Sequence, residues 1–132
     1  GIRTPRWRRR RDPLQRLIDV STRNGWLLRD GKVLAAAEIA VSTRARVRGA
    51  RGRDGLAGVL VLAPCRQVHS FGVRFALDVA LCAGDGTVLR IATLEPRRLS
   101  APSFRARFAV EAPAGAFQRW GLETGQVLEV RG

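Results

Sequence analysis

Five residues have side chains suited to binding or proton chemistry: His69, Ser70, Arg74, Asp78 and Glu111. An imidazole titrates near neutrality and can bind or relay a proton. A guanidinium can clamp a carboxylate or phosphate through two parallel hydrogen bonds. An irregular segment over 68–74 leading into a strand at 77–82 places Arg74 and Asp78 near one strand entry, and Glu111 ends another strand. Loops on a rigid β scaffold commonly carry binding residues. A purely structural account needs the same residues: Arg74 and Asp78 as an ion pair, and His69 bonded to backbone groups.

Other chemistries fit less well. Ser70 and His69 are neighbours, and on an extended chain they point to opposite sides. No Gly-x-Ser-x-Gly elbow is present, and neither Ser70 nor Cys65 has an evident activating base. His69 is the one histidine, so a His/Asp/Glu metal triad lacks its second imidazole. Ala83-Gly84-Asp85-Gly86 is followed by neither a helix nor Lys-Ser/Thr, which makes it a turn and not a phosphate loop. Cys65 and Cys82 form no CxxC pair and read as two buried thiols, although spacing alone leaves a disulfide open. The sequence calls for no metal or other cofactor.

Charge supplies a second candidate surface. The 132 residues carry a formal net charge of +13, with Lys32 the one lysine among 24 basic residues. Arginine in such excess also reflects a GC-rich genome, so its position matters more than its total. Residues 1–23 hold eight Arg and two Asp, a net +6, whereas residues 24–132 hold 16 basic and nine acidic residues, a net +7. The basic arm is therefore several times denser in charge. Arg6, Arg8, Arg9, Arg10 and Arg11 can engage phosphates through counterion release, and Trp7 can stack on a base or sit at a membrane interface. The bland alternative is a solvated, disordered tail.

These groups need elements to hold them. Asp12, Pro13 and the spacing of Leu14, Leu17 and Ile18 predict a short amphipathic helix, followed by a loop over 21–25. Strands are expected at 26–28 and 33–41 around the tight-turn pair Asp30-Gly31. Thr43 is expected to cap a short helix in the basic stretch 42–53. An apolar run at 57–63 reads as a buried strand, and 77–82 with 88–94 reads as a hairpin. Residues 104–111 alternate and predict a half-exposed strand with Arg105, Arg107, Ala109 and Glu111 outward. Pro113 is expected to start a short helix over 114–120, with Gly121 past its end, and 126–130 closes the domain as a strand. Trp26, Phe104, Phe108, Phe117 and Trp120 are expected in the core. Many short, regularly spaced strands predict a mainly β fold, a sandwich or barrel-like sheet with one or two short helices, over 24–132.

Four segments in this order resemble the domain of unknown function 192 family. They are Arg46-Val47-Arg48-Gly49; the run from Val68 through His69, Ser70 and Arg74 to Val79; Asp85-Gly86-Thr87-Val88-Leu89; and Ala109-Val110-Glu111-Ala112-Pro113-Ala114-Gly115 with Gly121-Leu122-Glu123-Thr124-Gly125. The resemblance covers about 33–131. It implies a mainly β fold and no assigned activity. Family sequences usually place Met where this chain has Val73, and often Pro where it has Ala76, so a pocket shaped by that Met differs here. Relatives often carry secretion or membrane-anchoring segments.

The expected function is therefore a ligand-binding or accessory module without catalysis of its own. Its expected site is His69, Ser70, Arg74, Asp78 and Glu111, facing an anionic or hydroxyl-bearing group. The alternative is binding of nucleic acid or an anionic membrane surface through the arm. As given, the sequence fits a cytoplasmic protein; a membrane-associated or exported one fits if an upstream segment is missing. The arm reading has a direct consequence. Nucleic-acid or anionic-vesicle binding by the full chain should weaken steeply with salt and vanish in a chain starting at Asn24. Equal binding by both chains would remove the arm from consideration.

Overall fold

The computed structural model describes residues 23–132. The expected arm contacts at Arg6, Trp7, Arg8, Arg9, Arg10 and Arg11 and the helix following them lie outside the described residues. Among the described residues, seven strands and two short helices follow in the order β1 (Arg23–Arg29), β2 (Lys32–Ala40), α1 (Thr43–Arg48), β3 (Val59–Leu62), β4 (Leu77–Cys82), β5 (Val88–Leu94), β6 (Phe108–Pro113), α2 (Ala116–Trp120) and β7 (Glu129–Arg131). The fold is mainly β, as the strand spacing implies.

The β1–β2 hairpin turns at Asp30 and Gly31, with φ of 52° and 76°. Two successive left-handed residues match the twist of the flanking strands, which is why Asp-Gly serves there. The sheet order is β5-β4-β6-β3-β2-β1-β7, and its one parallel pair is β2 with β3. The ends of this sheet are joined by the segment before β7. Val88 N–H donates to the Gln126 carbonyl at 2.8 Å, Leu128 N–H to Gly86 at 2.9 Å, and Gly125 N–H to Val88 at 2.9 Å. The outcome is a barrel-like closure.

Closure sorts the core into two parts. One cluster draws on all seven strands, with Leu27, Ile39, Val61, Ala80, Val88 and Val110 buried and Val130 packed against them, and it includes Phe117 of α2. This is the barrel interior. The second holds Leu60, Leu62, Val79, Leu81 and Ala109 from β3, β4 and β6, covered by Ala45, Ala50, Val68 and Val73. These three strands are thus covered on both faces.

Several local expectations change. β1 begins at Arg23, inside the segment read as a loop. Ser42, not Thr43, caps α1, its hydroxyl accepting from Ala45 N–H at 3.0 Å. Pro113 ends β6, and α2 starts at Ala116 behind Gly115. The strand read over 104–111 begins only at Phe108, and Phe104 is 82% exposed. Ala109 and Glu111, expected outward, are buried because α1 and the following loops cover that face. Trp26 is 53% exposed, so neither it nor Phe104 belongs to the core.

The closure has one demanding position. Gly86 has a φ of 95°, and a Cβ there would collide with the Leu128 carbonyl. Gly52 has a φ of 75° but open space around it. Left-handed strain alone costs an alanine about 1–2 kcal/mol. In urea denaturation, Gly52→Ala should lose about that much, and Gly86→Ala clearly more.

Candidate functional site

A cavity of about 260 Å³ lies between the C-terminal end of α1 and the loop 64–69. Its walls include Arg46, Gly49, Cys65, Val68 and His69, and Glu111 lines it from β6. Backbone bonds hold the loop wall in place. Cys65 N–H donates to Arg107 at 3.0 Å, Ser70 N–H to Arg98 at 2.8 Å, and Ser100 N–H to Val68 at 2.8 Å. The Arg46 guanidinium (Nη1) reaches across to the Pro64 carbonyl at 3.0 Å and links the two walls. Gly49 ends α1 at φ 49° and ψ −131°, a conformation natural to glycine, and a Cβ there would lie 3.7 Å from Glu111 Oε1.

Glu111 is the unusual group. It is 2% exposed, and β6 places it beside Leu60 of β3 and Val79 of β4. Its Oε1 is buried and has no hydrogen-bond partner among the described residues. The Arg53 guanidinium acts on it only through space, because Arg53 is committed to Glu38, with Nη1 and Nη2 each 2.9 Å from a carboxylate oxygen. Burial pushes the Glu111 carboxyl up to about 7, and Arg53 offsets only part of that rise. A neutral acid is therefore well populated at neutral pH. By contrast, the hydrogen bond from Arg53 holds the Glu38 carboxyl below its usual range.

The five sequence candidates separate. His69 and Glu111 line the same cavity. His69 Nδ1 is also buried without a partner among the described residues, and its ring stacks on Phe71 at 5.7 Å. Ser70 is engaged elsewhere: its hydroxyl donates to Glu95 O and accepts from Arg98 N–H at 2.8 Å. Arg74 does not meet Asp78; it lies 3.8 Å from Asp54 on the surface. Asp78 faces the barrel interior, one residue out of step with Val79, and so lies across the sheet from Glu111. Its oxygens accept from Thr93 Oγ1 at 2.9 Å and from the Gly115 and Phe117 N–H groups at 3.0 Å each. Asp78 thereby anchors the start of α2 to β4.

Sequence reasoning did not assign Arg46, Gly49 and Cys65 to the site. The Arg-Val-Arg-Gly run was visible as a motif, but nothing local showed which strand it would cover. Cys65 and Cys82 are both free thiols. Burial raises Cys65, and burial pushes Cys82 up to about 12. Neither is an activated thiolate. Among the described residues no group of three or more His, Cys, Asp and Glu is placed to hold a metal.

Glu111 has a consequence for stability. Its folded value of about 7 exceeds the usual 4.5, so the folded state binds more protons between those limits. Its contribution is fully present below 4.5 and is lost as pH rises through 7. A rise from 4.5 to about 7 corresponds to roughly 3 kcal/mol. Glu111→Gln should remove that decline, making the variant the more stable protein at pH 8. Urea titrations at pH 5 and 8 check this, and equal pH slopes would refute it.

Comparison with known proteins agrees with this architecture. A crystal structure of a protein of unknown function from Novosphingobium aromaticivorans superposes with a TM-score of 0.69 at 16% identity, covering 82% of this chain and 84% of that one. A Sinorhizobium meliloti protein, provisionally called a transcription regulator, superposes at 0.73 with 22% identity, over 84% and 96% of the two chains. At these identities the likeness concerns the fold alone. A UPF0127 protein of Pyrococcus abyssi is 29% identical over 62 residues, which are 47% of this chain and 53% of that protein. The matched part spans about half the length of that relative. Residues 26–130 match the family described as DUF192, uncharacterized ACR. With most of its length matched, and the seven-stranded barrel and four signature segments in their expected order, the chain belongs to the domain of unknown function 192 family.

Proposed function

We propose that this domain is a binding module whose cavity, floored by Glu111, takes a small polar ligand. The observation carrying this reading is that Glu111, a residue lining the cavity, keeps a buried carboxyl oxygen without a partner among the described residues. An unsatisfied buried polar atom costs about 1–3 kcal/mol, and a native structure that retains one commonly does so for a role. His69, in the same lining, has a second such atom in its Nδ1. Arg48, Arg51 and Arg66 also line the cavity and favour an anion over a cation. Binding is preferred to catalysis because Cys65 is held as a thiol and the Ser70 hydroxyl is engaged by backbone groups.

A second reading rests on the charge density of residues 1–23, which suits nucleic acid or an anionic membrane. The description of the Sinorhizobium meliloti protein as a regulator of transcription is compatible with the nucleic-acid form of that reading. No helix among the described residues is long and apolar enough to cross a membrane.

The cavity reading is tested with small organic and inorganic anions by calorimetry and thermal shift. Glu111→Leu replaces the orphaned carboxyl with an apolar side chain of similar size, so the fold should be retained or stabilised. The variant should bind at least tenfold more weakly than the parent. A panel that binds neither protein, or a Leu variant that binds as well as the parent, would overturn the reading.

A further inference from the structure

The surroundings of Glu111 say more about what enters the cavity. From α1 comes Arg46, which bonds the Pro64 carbonyl. From the following loop comes Arg53, whose two terminal nitrogens bond Glu38. From the loop after β3 come His69 and the Cys65 thiol, which donates to the Gln67 carbonyl at 3.2 Å. The strand neighbours Leu60 and Val79 are apolar. No hydrogen bond from any described residue reaches Glu111 Oε1. An ionised carboxylate would thus be poorly compensated here, whereas a neutral carboxyl offers a donor and an acceptor side by side.

Resting on the cavity reading above, we propose that the ligand is a small carboxylate whose oxygen accepts a hydrogen bond from the protonated Glu111, so that binding takes up a proton from solvent. Charge-assisted hydrogen bonds of this O–H···O⁻ kind are short and strong. The rim guanidiniums of Arg48, Arg51 and Arg66 provide a positive field for one anionic charge. The walls at Leu62, Pro64, Val68 and Val73 are apolar. They suit the carbon body of an organic acid, and they make a doubly charged phosphate costlier to desolvate. In the proton balance, Glu111 gains one proton from water or buffer as the anion enters, and no covalent bond to the ligand forms or breaks.

The test titrates the full chain with acetate, lactate and inorganic phosphate by calorimetry, in Tris and in HEPES, whose ionisation enthalpies differ. With Glu111 titrating at about 7, carboxylate binding at pH 8 should take up about 0.9 proton per site and at pH 6 about 0.1. Affinity should fall up to about tenfold per pH unit above 7. Glu111→Gln keeps a donor and should bind with no proton uptake and little pH dependence. Carboxylate binding with no uptake, or with proton release, would overturn the protonated-acid contact while leaving the cavity reading intact. Binding of phosphate but neither carboxylate would overturn the ligand class. Binding of none of the three would overturn this proposal, while binding of other anions in the wider panel would keep the cavity reading.

Discussion

Strands β3, β4 and β6 are buried on both faces, which leaves no solvent-facing side where a charged residue could sit cheaply. A strand covered on one side alternates between apolar and polar residues, whereas one covered on both sides is a near-continuous apolar run. β3 obeys this with Val59-Leu60-Val61-Leu62. β4 and β6 each carry one exception, Asp78 and Glu111, and the two carboxyls receive opposite treatment.

Asp78 looks into the barrel and is fully served. Its three acceptor contacts bring together β4, β5 and the start of α2, so its burial is compensated by bonds that also build the fold. Glu111 looks the other way, under α1 and the loop after β3, and no described residue bonds its Oε1. A one-residue offset between paired strands places the two on different faces. One carboxyl is thus a structural anchor, and the other lines a cavity with an oxygen that no described residue bonds. The Arg53–Glu38 pair sharpens the difference, since Arg53, whose charge acts on Glu111, is held by a carboxylate on β2.

Features governed by short-range chemistry were legible in the sequence. Asp30-Gly31 marks its hairpin through local backbone preference, and the β3 run marks a strand buried on both sides. The segment 104–111 shows where legibility stops. Phe104, Ala106, Phe108 and Val110 alternate like one strand, yet only the second half pairs with β3 and β4, and Ala106 is buried from within a turn. Pairing is a long-range property that the pattern does not carry. Glu111 follows the same logic, because α1 covers it from about sixty residues earlier in the chain. His69 and Glu111 line one cavity as their residue types suggest, but Arg74 and Asp78, close to His69 in sequence, do not, and strand alternation does not respect sequence proximity.

The pairing of β1 with β7 has an architectural consequence. Trp26 lies opposite Arg131 and Leu27 opposite Val130, and Gly132 packs against the backbone at Asn24 and Gly25. The two ends of the barrel therefore emerge side by side. Neighbouring ends let a domain be spliced into a loop of a host protein, or have its ends joined and its chain reopened elsewhere, without disturbing the sheet. In this molecule the described chain enters and leaves the sheet at one place. That place is the β1–β7 side of the barrel, while the cavity over Glu111 is built around Leu62 of β3, Glu111 of β6 and the loops that cover them.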